Sequence, residues 1–264
     1  MKNFLITLLK SVLFFVVWAL LTTVLPIPDS AEPAVWRFWA ELMPFVAVLF
    51  CTLAGWVGER RQLKIVGRIT GGALATGAVV GLFWIGLVIS ILVLGGFMTV
   101  GRERQTVPLL GLWLVALLLN TVMQELLVRG YLYRLVQRHY NTVAAALVTT
   151  LLFLLCHGGA LEAGWLPCAN IVLMSFFMTA VLEATDSLVV PILIHFIWNS
   201  VGGILYGGVS LAEDYPHLYD ITMHGNDLIS GGVFKIEGSA VVLVVNALFF
   251  VAFAWLAWRK SKHH

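Results

Sequence analysis

Eight stretches of the chain are apolar with few interruptions, and each is about as long as a bilayer crossing. They cover roughly 4–25, 39–58, 69–97, 108–133, 142–160, 165–183, 188–206 and 238–258. A helix needs about 20 apolar residues to span the hydrocarbon core. The pattern therefore predicts an all-α fold, a polytopic membrane protein with about eight transmembrane helices in one domain over 1–264. The first stretch lacks a small-residue cleavage site, and its apolar run is too long for a signal peptide, so it counts as the first span. The longest connection, 207–237, holds Pro216, several glycines, Asp214, Asp220 and Asp227, and is expected to cap the outer side as an extracytoplasmic loop.

Composition fixes the solvent. Sixty per cent of the residues are hydrophobic and 11 % charged, with mean hydropathy +0.95, against about half apolar and a quarter charged in a soluble domain. A formal charge of +2 is too small to suggest nucleic acid, and the basic residues read instead as topology signals. Lys2, Lys10, Arg60, Arg61, Lys64, Arg68, Arg129, Arg134, Arg138, Arg259, Lys260 and Lys262 fall on one side. The other carries Arg37, Arg102, Arg104 and Lys235 beside Glu213, Asp214, Asp220 and Asp227. Both termini are thus expected to be cytoplasmic. The three cysteines, Cys51, Cys156 and Cys168, give no disulfide framework. Gly77-x-x-x-Gly81 in the third stretch is a packing signal that lets helices approach closely.

Three polar clusters interrupt the apolar pattern: Gln124-Glu125-Leu126-Leu127-Val128-Arg129, Phe153-x-x-x-His157 and His195-x-x-x-Asn199. Polar and ionisable groups are costly in lipid and usually mark working sites. The fourth and fifth stretches form a hairpin turning near Asn141, with Gln124 17 positions before it and His157 16 after. On continuous helices both lie roughly 24–26 Å from the turn, which predicts similar depth. His195 and Asn199 are i and i+4, on one helix face. Adjacent helical residues point about 100° apart, so Gln124 and Glu125 have different jobs. Glu125 and Arg129, at i and i+4, suit an ion pair that braces the helix. Gln124 is then expected to turn toward His157, with Asn120 one turn earlier on the same face.

Each polar residue also has a plain reading as a helix–helix hydrogen bond or a buried pair. Three clusters on three helices would be an expensive way to hold a bundle, and a shared site is the expectation. Cys156 beside His157 reads as a small apolar filler rather than a nucleophile. His217 and His224 in the outer loop lack zinc-motif spacing and read as ordinary loop residues.

In order and spacing, the three clusters resemble the CPBP family, the CAAX proteases and bacteriocin-processing enzymes also called Abi. That family's pattern is Glu-Glu-x-x-x-Arg, Phe-x-x-x-His and His-x-x-x-Asn, followed by a glycine-rich stretch like Ser230–Gly238 here. The resemblance covers roughly 108–240. It implies intramembrane hydrolysis of a membrane-tethered peptide or protein tail by glutamate-activated water, with no cofactor or metal, in a bacterial inner membrane. It gives the base role to the first carboxylate position with His157, and makes His195 and Asn199 donors to the developing oxyanion. A base must bind a proton, and donors must face the oxygen on which charge develops.

At the first carboxylate position this chain has Gln124. An amide orients water but does not accept its proton, so the chain is expected to be impaired as a protease of this type. Gln124 is then an engineered inactivating substitution, a natural residue with Glu125 or His157 serving as base, or the mark of a non-catalytic relative. Two other classes stay open: a peptide-binding, immunity or transport-type membrane protein, and a zinc-dependent membrane protease with His157, His195 and Glu125 as ligands.

Overall fold

The computed structural model describes residues 2–209 and 215–262; Glu213 and Asp214 of the 207–237 connection lie outside the described residues. The helices are α1 (Lys2–Val24), α2 (Pro33–Gly58), α3 (Gly71–Leu94), α4 (Leu110–Glu125), α5 (Tyr131–His139), α6 (Thr142–Cys156), α7 (Gly158–Ala163), α8 (Trp165–Thr185), α9 (Val189–Asn199), α10 (Asp227–Ser230) and α11 (Ala240–Lys262). Two short strands, β1 (Met98–Val100) and β2 (Ile221–Met223), pair antiparallel with Thr99 opposite Thr222. Stretches of π-helix, Leu126–Gly130 and Ser200–Leu205, follow α4 and α9 without a break.

The chain is an all-α polytopic membrane protein. Each predicted apolar stretch contains helix, and six helices among the described residues are long and apolar enough to cross a bilayer. The other two are shorter, Thr142–Cys156, which ends directly before His157, and Val189–Leu205, which carries His195 and Asn199. Large apolar side chains such as Leu9, Phe83, Val143 and Val251 face outward, as expected where the solvent is lipid.

Two compact units make up the fold, one of residues 1–67 and 108–152 and the other of 68–107 and 153–264. In the first, α2 packs on α1 and α4. Pro33 opens α2, where a missing N–H costs nothing. The interior Pro44 has a carbonyl that accepts from Trp18 Nε1 at 3.3 Å. Gly55 lies under the Tyr131 ring, where a Cβ would stand 2.7 Å from the ring carbons, and Phe14 stacks on the same ring at 5.0 Å.

In the second unit, α3 packs on α9 and α8 on α11 around a core that includes Trp84, Phe177, Met178, Ile194 and Trp198. Gly77 and Gly81 lie against α9: a Cβ at Gly77 would meet Leu193 Cβ at 2.8 Å, and one at Gly81 would meet Ile194 Cα at 3.1 Å. The packing expected of this glycine pair is therefore present. Trp84 stacks on Trp198 with centroids 4.1 Å apart and donates through Nε1 to Asn246 Oδ1 at 2.9 Å. A polar partner for a buried indole N–H avoids the cost of leaving it unpaired.

Candidate active site

The structure resolves the polar clusters into two groups, one in each unit. In the first unit, Arg129 Nη1 donates to both carboxylate oxygens of Glu125 at 2.8 Å, and both side chains are fully buried. The predicted ion pair is present, although Arg129 lies in the π-helical stretch rather than in regular α-helix. Such stretches are frequent at functional sites. Continuous α-periodicity carries no signal for one.

Asn120 and Gln124 share a face, as i,i+4 spacing predicts, and Gln124 Nε2 donates to Asn120 Oδ1 at 2.7 Å. Asn120 Nδ2 in turn donates to Glu41 Oε2 at 2.8 Å, while Arg37 Nη2 lies 2.7 Å from Glu41 Oε1. Glu41 is buried at 5 % exposure, and no motif singled it out. The sequence did hold a signal: an acid in an apolar helix four residues after Arg37. Arg37, which the sequence pattern marks as a topology charge, is thus also an ion-pair partner.

The second unit holds Phe153, His157, His195 and Asn199. The fifth apolar stretch was expected to run helical to residue 160, but α6 ends at Cys156, and His157 has φ −107° and ψ 56°. Two features end the helix. Gly158 and Gly159 follow, and glycine is a poor helix interior. The Phe153 carbonyl, which the next helical turn would use, instead takes the His157 ring Nδ1 at 2.7 Å, while the His157 amide donates to Leu154 O at 3.0 Å. Depth counted along one continuous helix therefore does not apply to His157. A new short helix, α7, starts after it.

The hydrogen bond fixes the imidazole's chemistry. A carbonyl only accepts, so Nδ1 carries the proton, and the neutral ring keeps its basic lone pair on Nε2. The buried Phe153 ring lies 4.2 Å from the His157 ring centroid and 6.1 Å, edge-on, from that of His195. One aromatic side chain thus contacts both histidines. His195 is buried and Asn199, at the end of α9, is half-buried. Trp198 between them is held in the Trp84 stack, which fixes the rotation of α9. Directly after Asn199 the backbone turns π-helical. There Gly202 leaves no room for a side chain, since a Cβ would stand 2.5 Å from Val209 Cγ2.

The remaining polar candidates have ordinary partners or settings. His217 Nε2 lies 2.8 Å from Asp220 Oδ1, His224 Nε2 lies 2.9 Å from Thr99 Oγ1, and Cys156 is exposed on α6.

No curated protein and no solved structure matches the chain. Residues 106–201, which contain Asn120, Gln124, Glu125, Arg129, Phe153, His157, His195 and Asn199, match the family model described as type II CAAX prenyl endopeptidase Rce1-like.

Proposed function

We propose that this protein is a CAAX-type intramembrane endopeptidase scaffold that binds the tail of a membrane-tethered peptide or protein, and that Gln124 leaves its water activation weak. The carrying observation is that one family match takes in all three polar motifs. Water attack on a peptide bond needs a base for the proton and donors for the oxyanion. In this reading His195 and Asn199 are the donors. By the motif roles, Gln124 stands at the water-orienting position, and His157, protonated at Nδ1, offers Nε2 as a base. Glu125 is a poor base, because both its oxygens are held by Arg129 inside the protein. The termini are assigned to the cytoplasm, as the basic residues suggest, and the membrane to a bacterial cell, as the resemblance implies.

The test compares the chain with Gln124→Glu and His157→Ala on a panel of membrane-tethered peptides in liposomes. Restoring a titratable base is expected to raise cleavage by about 10²–10⁴-fold, the usual worth of general base catalysis. His157→Ala should abolish cleavage in either background. Binding by every form with cleavage by none would instead identify a non-catalytic peptide-binding relative, a second reading favoured by the hydrogen-bonded amide of Gln124.

A further inference from the structure

The hydrogen bonds from α2 to Gln124 have a direction. Arg37 lies against Glu41 Oε1, and Glu41 Oε2 accepts from Asn120 Nδ2. Asn120 Oδ1 then accepts from Gln124 Nε2. A carboxylate only accepts, so an ionised Glu41 compels Asn120 to present its NH2 group toward α2 and its carbonyl toward position 124. Position 124 must therefore donate. Gln124 does so with Nε2, which leaves Oε1 on the other side of the amide. That oxygen is buried and has no hydrogen-bond partner among the described residues.

We propose that Arg37, Glu41 and Asn120 form a directional chain that selects an amide at position 124 and aims its carbonyl oxygen at a donor from outside the chain, with Glu41 as the positioning residue. The donor class is an O–H or N–H group, and the endopeptidase reading, on which this assignment of a ligand rests, supplies both in a water and a substrate amide. An orphaned buried acceptor is costly, on the order of 1–3 kcal/mol, and a bound donor removes that cost. Gln124 is in this account the residue its surroundings are built for. A carboxylate placed there by substitution meets the Asn120 carbonyl acceptor to acceptor while Glu41 stays ionised.

Reversing the chain provides the test. With Glu41→Gln, Arg37 keeps an oxygen to bind, and the new amide donates to Asn120. Asn120 then turns its NH2 group toward position 124, where a carboxylate becomes the fitting partner. Melting temperatures are measured for the unaltered protein, Gln124→Glu, Glu41→Gln and the double variant, all in one detergent. Gln124→Glu alone is expected to melt lower by about 2–4 °C or more, and most of that loss should disappear in the Glu41→Gln background. An equal loss in both backgrounds overturns the proposal.

Should Glu41→Gln fail to fold, hydrogen exchange of the Gln124 side-chain amide decides. It is followed by NMR and assigned by its disappearance in Gln124→Met. The amide is expected to be protected in the unaltered protein and to lose protection in Asn120→Leu; unchanged protection overturns the proposal. Neither measurement depends on cleavage. A panel in which no form cuts would defeat the endopeptidase reading while leaving the melting comparison to judge the chain. If cleavage is restored, the double variant is expected to exceed Gln124→Glu by tenfold or more.

Discussion

The Phe153 carbonyl holds the His157 imidazole by Nδ1 at 2.7 Å. The residue that ends α6 is thereby also the one whose basic nitrogen is set by the helix end. The Phe153 ring supports the same imidazole at 4.2 Å. Phe153→Leu keeps an apolar filler but loses the aromatic contact, a loss of about 0.5–1.5 kcal/mol for a ring pair. In a cleaving Gln124→Glu background this is expected to reduce kcat about tenfold with KM nearly unchanged, because a loosened base affects the transition state more than binding. Steady-state kinetics on a tethered peptide checks it. A rise in KM alone would place Phe153 in substrate binding instead.

The Glu125–Arg129 pair predicts an asymmetry between single and double substitutions. Removing one member takes a direct counter-charge from a buried ion, a change that costs about 3–5 kcal/mol. Arg129→Met or Glu125→Leu alone is therefore expected to yield protein that aggregates or melts far below the unaltered chain. The double substitution puts apolar side chains in lipid-like surroundings and should recover most of the loss. Size-exclusion profiles and melting curves in detergent distinguish this from two additive defects.

Much of this unit was legible in the sequence because its signals are local. The i,i+4 spacing of Glu125 and Arg129, and of Asn120 and Gln124, placed each pair on a shared face, and both pairs are bonded. The apolar stretches gave the helices, with ends displaced by a few residues where hydrophobicity continues past the last turn. The break at His157 was not legible. Phe153-Leu154-Leu155-Cys156 is apolar throughout, and a ring competing for a backbone carbonyl leaves no periodic trace. The two π-helical stretches were hidden for the same reason. Glu41 does not stand out in the sequence because its meaning lies in Asn120, 79 positions away in the chain, and Arg37 by itself reads only as a topology charge.

The α3–α9 contact predicts that a distant glycine controls His195. At Gly81 a Cβ would stand 2.9 Å from Ile197 Cδ1 and 3.1 Å from Ile194 Cα, and the second of these is backbone that cannot rotate away. Gly81→Ala should displace α9, the helix that carries His195 and Asn199. The expected loss of stability is about 1–3 kcal/mol for overpacking, read as a lower melting temperature. Gly86 has nothing within 4 Å of an added Cβ, so Gly86→Ala on the same helix is the control and is expected to melt no lower than the unaltered protein.

The loop that holds Asp220 should have an acid limit of its own. Hydrogen bonds from His217 and then from Gln105 hold the exposed Asp220 carboxyl below its usual value of 3.8. The bonds span 2.8 Å and 2.6 Å. A carboxyl that is more acidic in the fold than in the unfolded chain adds stability above the usual value. It loses that stability as pH falls through the lower folded value. The Gly101 amide donates to the Asp220 carbonyl at 2.8 Å, so its hydrogen exchange, corrected for the intrinsic pH dependence, reports on the same loop. Its protection should be constant near neutrality and fall once the pH drops below the usual carboxylate range. Asp220→Asn should flatten that acid limb, and added salt should weaken it, because the group is exposed and therefore screened. Protection that stays constant down through the carboxylate range would overturn the assignment to Asp220.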